Sequence, residues 1–221
     1  MTTVRVDITV SLDGFVAGPN QTLEHPLGEN GERLHEWAFA AASWREQHGL
    51  SGGEANADSD VLQESQAATG AVVMGRRMFS GGEGPWADDP NANGWWGDDP
   101  PFHVPVFVVT QHARDTVTMQ GGTSFAFVTD GVGPAIAQAR EVAGEKDVLV
   151  AGGASVVQQA LRAGLLDELQ LHVVPLLLGG GVRLFGPLGP VVDLEVTRVI
   201  ESPAVAHLRY RVQRGQVTSS G

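Results

Sequence analysis

The chain has 221 residues, with 29 Gly, 12 Pro and no Cys, and its 14 basic and 26 acidic residues give a net charge of −12. This length predicts a single domain over residues 1–221, with an inserted, mostly helical segment at about 20–60. The missing Cys excludes disulfides, Cys-ligated zinc and thiol nucleophiles. The negative charge argues against nucleic acid as a partner, because phosphates would be repelled.

The apolar runs of the chain are short. The longest are about six residues, whereas a membrane span requires about 18 or more. The N-terminal stretch 1–10 alternates and carries Arg5 and Asp7, so it does not have the apolar block of a secretion signal. We therefore expect a cytoplasmic protein without a membrane partner.

The first sixty residues predict a strand followed by helices. Residues 4–10 alternate between apolar and polar types, which is typical of a strand, and a short apolar piece follows the turn at 11–14. A helical face is predicted from five apolar residues at helical spacing: Leu34, Trp37, Ala38, Ala41 and Trp44. Asp58 or Ser59 could cap a second helix that ends before Gly70.

The remainder alternates between strands and helices. Short apolar runs predict strands at 71–75, 105–110, 125–129, 147–151 and 168–174. Two further ranges predict helices: 132–142, with Ile136, Ala139 and Val142 or close neighbours on its face, and 154–163, with Val156, Val157, Ala160 and Leu161 buried and Gly164 as its stop. Two alternating runs, 194–200 and 204–214, predict an antiparallel hairpin, and 215–221 a frayed end. The whole pattern predicts an α/β fold with a mixed, mostly parallel sheet.

Three predicted strand ends carry residues suited to an anion. They are Gly75-Arg76-Arg77, the segment 110–114 with Arg114, and Gly152-Gly153-Ala154-Ser155. Ligands of open α/β sheets bind at the carboxyl ends of strands, so together these ends favour an extended ligand with several phosphates, such as a dinucleotide. The alternatives stay open: the glycine pair could be a tight turn, Arg76 and Arg77 could pair with acids, and Arg114 could be a surface residue.

Two further positions are candidates for the substrate side. Asp13 follows the first strand, where a carboxyl group could orient or protonate a substrate, although an aspartate before glycine often bonds its own turn. Trp86, Trp95 and Trp96 could form a substrate wall, which is the role we assign to Trp86, or a subunit contact, or a seal between loop and core. The seven histidines lack metal-ligand spacing, so no metal is predicted, and the G-x-S-x-G and Walker motifs are absent.

Five motifs give the chain a family resemblance. They occupy residues 11–17, 72–78, 106–110, 152–156 and 165–181, and the last, Leu165 to Gly181, is the most specific. In this order and over nearly the whole chain, they resemble the dihydrofolate reductase superfamily, and more closely its branch with the reductase domain of bacterial riboflavin biosynthesis (the RibD C-terminal domain). The segment at 20–60 is the least similar part.

The resemblance implies a fold, a cofactor and a set of site residues. The fold is the three-layer dihydrofolate reductase-like α/β fold, the cofactor is NADPH, and a cis peptide joins Gly152 and Gly153. Asp13 borders the substrate, and residues 176–185 resemble the segment that supports homodimers. The residues implied to bind the cofactor are Val16, Ala17, Gly75, Arg76, Arg77, Thr110, Gln111, His112, Arg114, Gly152, Gly153, Ala154, Ser155 and Val156.

The implied activity is hydride transfer from NADPH to a C=N or C=O group of a small substrate, pterin- or pyrimidine-like, with Asp13 or an ordered water supplying the proton. The alternatives are 5-amino-6-(5-phosphoribosylamino)uracil reductase, dihydrofolate reductase and a non-catalytic nucleotide-binding protein. Dihydrofolate reductases use an acid on a helix, and no motif ties Glu32 or Glu36 to that role. The Cys-based signature of the deaminase often fused to the riboflavin enzyme is also absent.

Overall fold

A computed structural model of the protein describes residues 2–189 and 191–213. Its strands, in chain order, are β1 (Val4–Ser11), β2 (Phe15–Ala17), β3 (Thr69–Gly75), β4 (Pro105–Val109), β5 (Val117–Thr118), β6 (Ser124–Val128), β7 (Asp147–Gly152), β8 (Glu168–Val174), β9 (Val182–Arg183), β10 (Leu194–Glu201) and β11 (Ala206–Val212). Its α-helices are α1 (Glu36–Ala40), α2 (Ala42–Gln47), α3 (Ala57–Ala68), α4 (Arg76–Ser80), α5 (Val132–Ala143) and α6 (Ala154–Arg162). Short 3₁₀ helices cover Gly31–His35, Trp86–Asp88 and Gln120–Gly122.

One large sheet organises the molecule. Its nine strands lie in the order β10-β11-β8-β1-β7-β3-β4-β6-β5, and β2 pairs separately with β9. The six central strands from β8 to β6 are parallel, while β10, β11 and β5 pair antiparallel. This confirms the predicted α/β fold with a mostly parallel sheet and a C-terminal hairpin, and it brings the carboxyl ends of the parallel strands to one edge.

One face of the sheet is covered by α5 and α6. Four α6 residues, Val156, Val157, Ala160 and Leu161, are buried as predicted. On α5, Ile136 and Ala139 are buried as predicted, and of Val142 and its close neighbours Ala143 is the buried residue, while Val142 is 51% exposed. The helix turns by 100° per residue, so the residue four positions after Ala139 faces the core better than the residue three positions after it.

The opposite face is covered by the segment from residue 31 to α3 and by the loop after α4. Three α-helices and a 3₁₀ helix form over residues 31–68, where the sequence predicted two helices. The predicted cap of α3 is wrong. The helix begins at Ala57, and the Asn56 side chain caps it by accepting a hydrogen bond from the Ser59 amide at 3.1 Å. Ser59 is therefore the residue whose N–H is capped, three positions after the cap.

Strands β5 and β9 were not predicted, because they have two residues each and no periodicity to detect. No helix in the described ranges, 2–189 and 191–213, has the length and apolar character needed to cross a membrane. The predicted frayed end at 215–221 lies outside the described residues.

Candidate functional site

The predicted site residues converge at the carboxyl edge of four adjacent strands. Asp13 follows β1, Gly152 ends β7, Gly75 ends β3 and Thr110 follows β4. The registers bring these ends level, since Met74 is opposite Gly152 and Gly75 is opposite Val109. The three anion-compatible segments that are separate in sequence are therefore neighbours in the fold.

Glycines line the centre of this edge. A Cβ on Gly75 would lie 3.1 Å from Val156 Cγ2 and 3.6 Å from the Gly153 amide nitrogen. Gly152 has φ of +131°, which side-chain-bearing residues rarely adopt, and its peptide bond to Gly153 is cis, as the resemblance implies. Gly153 is the N-cap of α6, and its carbonyl accepts from the Val156 amide at 3.0 Å. The amides of Ala154 and Ser155 precede that bond and have no acceptor within the helix. The cradle presents backbone alone, and side chains on the glycines would fill it.

Arg76, on the next strand end, is buried and paired with an acid of its own chain. Its Nη2 donates to the Asp89 carboxylate, which also accepts from Ser80 Oγ at 2.7 Å and from the Asn91 amide at 2.8 Å. The guanidinium lies 3.6 Å from the Trp86 ring centroid. Among the described residues, its Nε and Nη1 are buried without a hydrogen-bond partner. The ion-pair alternative holds for one edge of the guanidinium, and two of its donor atoms remain for a ligand or water.

Charge balance at Asp89 explains why this pair is buried. Burial raises the pKa of the Asp89 carboxyl. Hydrogen bonds from Ser80, Arg76 and the Asn91 amide lower it by more than burial raises it, so the net pKa lies below its usual range. The carboxylate is therefore ionised at neutral pH. It neutralises Arg76, and their side chains are only 2% and 7% exposed, respectively.

The other two arginines are also held by the loop after α4. Arg77 pairs with Glu83 at 2.6 Å in an exposed position. Arg114 donates to the Ala92 carbonyl oxygen and, at 2.6 Å, to Asn93 Oδ1. Residues 83–93, which we call the strap, thus contact all three arginines that the sequence assigns to an anion.

The end of β4 borders the strap. Thr110 is buried, its amide donates to the Val128 carbonyl at 3.0 Å, and its Oγ1 accepts from the His112 amide at 3.2 Å. The His112 carbonyl in turn accepts from Trp86 Nε1 at 2.9 Å. Gln111 is exposed between them.

Trp86 lies on the cofactor side of the predicted site. Its ring packs edge-on against Phe79 and Phe127. Asp13 follows β1, three strand spacings from β4, which corresponds to about 14 Å. This position favours the loop-sealing alternative for Trp86, because its ring closes the strap onto the sheet. Trp96 does the same through its Nε1, which donates to the Phe79 carbonyl at 3.1 Å.

Asp13 connects the first strand to the loop that follows β8. Its Oδ1 accepts from Ser11 Oγ at 2.6 Å and from the Leu178 amide at 3.1 Å, and its Oδ2 accepts from the Gly179 amide at 2.7 Å. These hydrogen bonds, that of Ser11 above all, lower the pKa of the Asp13 carboxyl. The carboxylate is therefore ionised at neutral pH and organises backbone across the site, which is more than the local turn role that was the alternative.

The strand β2 begins two residues after Asp13 and carries Val16 and Ala17. It pairs with β9, and Arg183 of β9 donates to the Asp13 carbonyl at 3.1 Å. The region implied to border the nicotinamide is thus held by the same 176–183 segment that Asp13 binds.

Three features of the structure were not predicted from the sequence. Asp89 was missed because nothing local marks its pairing with Arg76. A buried chain of Asp and His side chains beneath α3 was missed as well; a signal was present in the polar residues that alternate along β1. The third is half-buried His35, whose pKa is lowered to about 4 by burial and then by nearby His172. Glu32 and Glu36 beside it are exposed.

The layered α/β architecture and the glycine-lined carboxyl edge define a dihydrofolate reductase-like fold. Residues 2–208 match the family described as the RibD C-terminal domain, and the chain belongs to that family, which includes reductases of riboflavin biosynthesis. No curated protein matches the sequence.

Solved structures agree in fold at low sequence identity. A Shewanella protein assigned to riboflavin biosynthesis has 20% identity and a TM-score of 0.63, over 96% of this chain and 100% of its own. The bifunctional deaminase and 5-amino-6-(5-phosphoribosylamino)uracil reductase of Thermotoga maritima has 15% identity and a TM-score of 0.53, over 96% of this chain and 57% of its own. The riboflavin biosynthesis reductase of Saccharomyces cerevisiae has 14% identity and a TM-score of 0.52, over 96% of this chain and 90% of its own.

Proposed function

We propose that the protein is an NADPH-dependent reductase that reduces a C=N or C=O group of a small, pyrimidine-like substrate. The observation that carries the proposal is the glycine cradle, where Gly75, Gly152 and Gly153 expose backbone beside the first turn of α6. Family membership supports a reductase. The structurally similar Thermotoga enzyme is a reductase of a substituted uracil, which suggests the type of substrate. Exposed Glu32 and Glu36 argue against the dihydrofolate alternative, which uses a helix acid close to the pterin.

The residues at the edge fit a nicotinamide dinucleotide. Gly75, Gly152 and Gly153, with the amides of Ala154 and Ser155, would hold its pyrophosphate at the start of α6. Val156, whose amide donates to the Gly153 carbonyl at 3.0 Å, would border it. The unpartnered Nε and Nη1 of Arg76 and the segment from Thr110 to Arg114 would take the adenosine side, with Arg77 at its rim. Val16 and Ala17 would border the nicotinamide, which supplies the hydride when bound.

On the substrate side we assign Asp13 a positioning role. Its carboxylate holds the Leu178 and Gly179 amides, and a carboxyl with a lowered pKa is a weak proton donor at neutral pH. An ordered water is then the proton donor, which was the alternative left open by the sequence.

We further propose a cytoplasmic homodimer in which the chain works as one reductase domain. The dimer contact is assigned to residues 176–185, where the Leu177 side chain is 68% exposed. Size-exclusion chromatography with light scattering tests it: Leu177→Glu is expected to yield monomers, whereas Glu168→Ala is expected to leave a dimer.

Calorimetric titration with NADPH and NADH tests the cofactor proposal. The parent is expected to bind NADPH with a micromolar dissociation constant. Ser155→Asp adds a carboxylate at the start of α6, where it repels phosphate but suits the helix dipole, so it should weaken NADPH binding about tenfold or more while the protein stays folded. Gln159→Glu, one turn later, is the matched control. Absence of binding at millimolar NADPH, or equal affinities for parent and Ser155→Asp, would contradict the proposal.

Turnover separates the remaining functions. NADPH oxidation is measured with substituted aminouracils, dihydrofolate, flavins, imines and aldehydes. We expect oxidation with an aminouracil-type acceptor. Oxidation with dihydrofolate alone would favour the folate alternative, and binding of NADPH without oxidation by any acceptor would favour the non-catalytic nucleotide-binding protein.

A further inference from the structure

Four buried side chains form a continuous chain of short contacts beneath α3. Asp7 Oδ1 lies 2.5 Å from His172 Nε2, His172 Nδ1 lies 2.7 Å from His207 Nδ1, and His207 Nε2 lies 2.8 Å from Asp58 Oδ1. Their side chains are 9%, 3%, 3% and 6% exposed, in that order from Asp7 to Asp58. The chain connects the central strand β1 through β8 and β11 to the first turn of α3.

The three contacts of this chain need one more proton than its four groups ordinarily carry above pH 7. Each of the three contacts is at hydrogen-bond distance and needs one proton between its two heavy atoms. Two neutral histidines supply two N–H groups, and ionised aspartates supply none. With only two protons, one contact would place two lone pairs against each other, a costly arrangement in a buried site.

We propose that the folded protein retains a third proton in the chain from Asp7 to Asp58 near pH 8, and that this proton fastens α3 to β11 as a pH-sensitive latch. The proposal is independent of the reductase function. Loss of the proton above this range sets His172 and His207 against each other and loosens the α3 end of the chain.

The charges that face the chain support the third proton. Asp7 also accepts from Arg5 Nη1 at 3.1 Å and from Ser65 Oγ at 2.5 Å. The set of Arg5, Asp7, Asp58 and the two histidines is neutral when the histidine pair carries one positive charge, and it carries a buried negative charge otherwise. Asp147, whose side chain is 26% exposed, also pairs with Arg5 at 3.3 Å and adds negative charge beside the set, which favours the third proton further. Glu64 pairs outside the set, with Arg198 and Arg209.

The pKa directions of Asp7 and His207 are consistent with a third proton. Burial raises the pKa of Asp7, but His172 and then Arg5 lower it more, so the net pKa is well below its usual range and Asp7 is ionised. Burial lowers the pKa of His207, against the opposing effect of Asp58, so His207 is the neutral member of the pair. A neutral His207 that donates from Nε2 to Asp58 accepts at Nδ1, so the geometry places the other two protons in the two contacts of His172. Half-buried His35 is the remaining titratable group that faces His172.

The shared proton links folding to pH with a definite sign. In the unfolded chain both histidines are neutral well above pH 6.5, so unfolding above pH 7 releases one proton. The folded state is then favoured at lower pH, and the folding equilibrium constant falls about tenfold per pH unit until the folded chain itself loses the proton. The sequence has no Cys and one Tyr, so few other side chains titrate between pH 7.5 and 9.

Asp58→Asn is the sharpest variant for a test. The Asn amide can donate to His207 Nε2, so two neutral histidines then satisfy all three contacts without an extra proton. Asp60→Asn is the matched control, because Asp60 is exposed in the same first turn of α3 and loses the same charge near the helix start. Urea unfolding of the full chain is measured from pH 7 to pH 9 for the parent and both variants.

The parent and Asp60→Asn are expected to lose about tenfold in folding equilibrium constant per pH unit, and Asp58→Asn is expected to show little change. Equal pH dependence of the parent and Asp58→Asn would overturn the proposal. Should a variant fail to fold, NMR spectra of the parent at pH 8 decide the question. A histidine ring protonated on both nitrogens, seen in the ring ¹⁵N spectrum, supports the latch, and so does a proton on Asp58, seen in its carboxyl ¹³C shift. Two neutral rings together with an ionised Asp58 overturn the proposal.

Discussion

At the scale of single residues, the same side-chain types have different roles because of their surroundings. Asp13 receives hydrogen bonds from a hydroxyl and two backbone amides, and it is an organising carboxylate. Asp89 has a comparable set of donors but is buried against a guanidinium. The sequence shows both as loop aspartates, and only their partners, 165 and 13 residues away, distinguish them.

Asp13→Asn tests the positioning role directly. The Asn side chain has one acceptor oxygen, so its NH₂ group would face the Leu178 or Gly179 amide and displace the 176–181 segment. We expect kcat of the reductase to fall about 10- to 100-fold, because small displacements of bound groups are costly in rate. NADPH affinity, measured by calorimetry, should change less than about twofold. Asp115→Asn, at an exposed position, is the control, and an equal rate for both variants would contradict the role.

At the scale of elements, the strap is the feature that sequence patterns do not describe. Strand β8 has the predicted bounds, and the buried face of α6 was correct, because periodic burial leaves a local pattern. The glycine-rich strand ends were found for the same reason: each is a short local motif. The strap has no period, and its pairing of Arg76 with Asp89 depends on how the loop folds back. The four-residue proton chain depends likewise on the registers of three strands and a helix.

The strap contributes the acid of two ion pairs, one buried, with Arg76, and one exposed, with Arg77, so the two can be compared directly. Asp89→Asn leaves the buried Arg76 charge without its carboxylate, and we expect a loss of about 3–5 kcal/mol in the free energy of unfolding. Glu83→Gln breaks the exposed pair with Arg77, and we expect a loss below about 1 kcal/mol. Urea unfolding measures both values.

The cofactor proposal adds a second readout to this comparison. Arg76 that has lost its carboxylate partner is a better site for phosphate, so NADPH should raise the melting temperature of Asp89→Asn more than that of the parent. Equal losses of stability in the two variants would show that the strap does not depend on burial of the Arg76 pair.

At the scale of the whole molecule, the histidines of the proposed latch and half-buried His35 together predict the pH range in which the fold is most stable. The proposed latch favours the folded state at lower pH above about pH 7. His35 acts in the opposite direction: its pKa is about 4 in the folded protein and 6.5 ordinarily, so the unfolded chain binds more protons between these values. Its contribution to stability is lost as pH falls from 6.5 toward 4. The two effects together predict a stability maximum close to neutral pH.

His35→Gln isolates the acid side of that maximum. The parent is expected to lose up to about 1.4 kcal/mol per pH unit from this one residue as pH falls from 6.5 toward 4, and the variant should lose correspondingly less. The net charge of −12 also becomes less negative over this range, but that change is nearly the same for parent and variant and cancels in the difference. His25→Gln, at an exposed position, should follow the parent. Parallel stability curves for the parent and His35→Gln, measured by urea unfolding, would show that His35 is not held neutral by the fold.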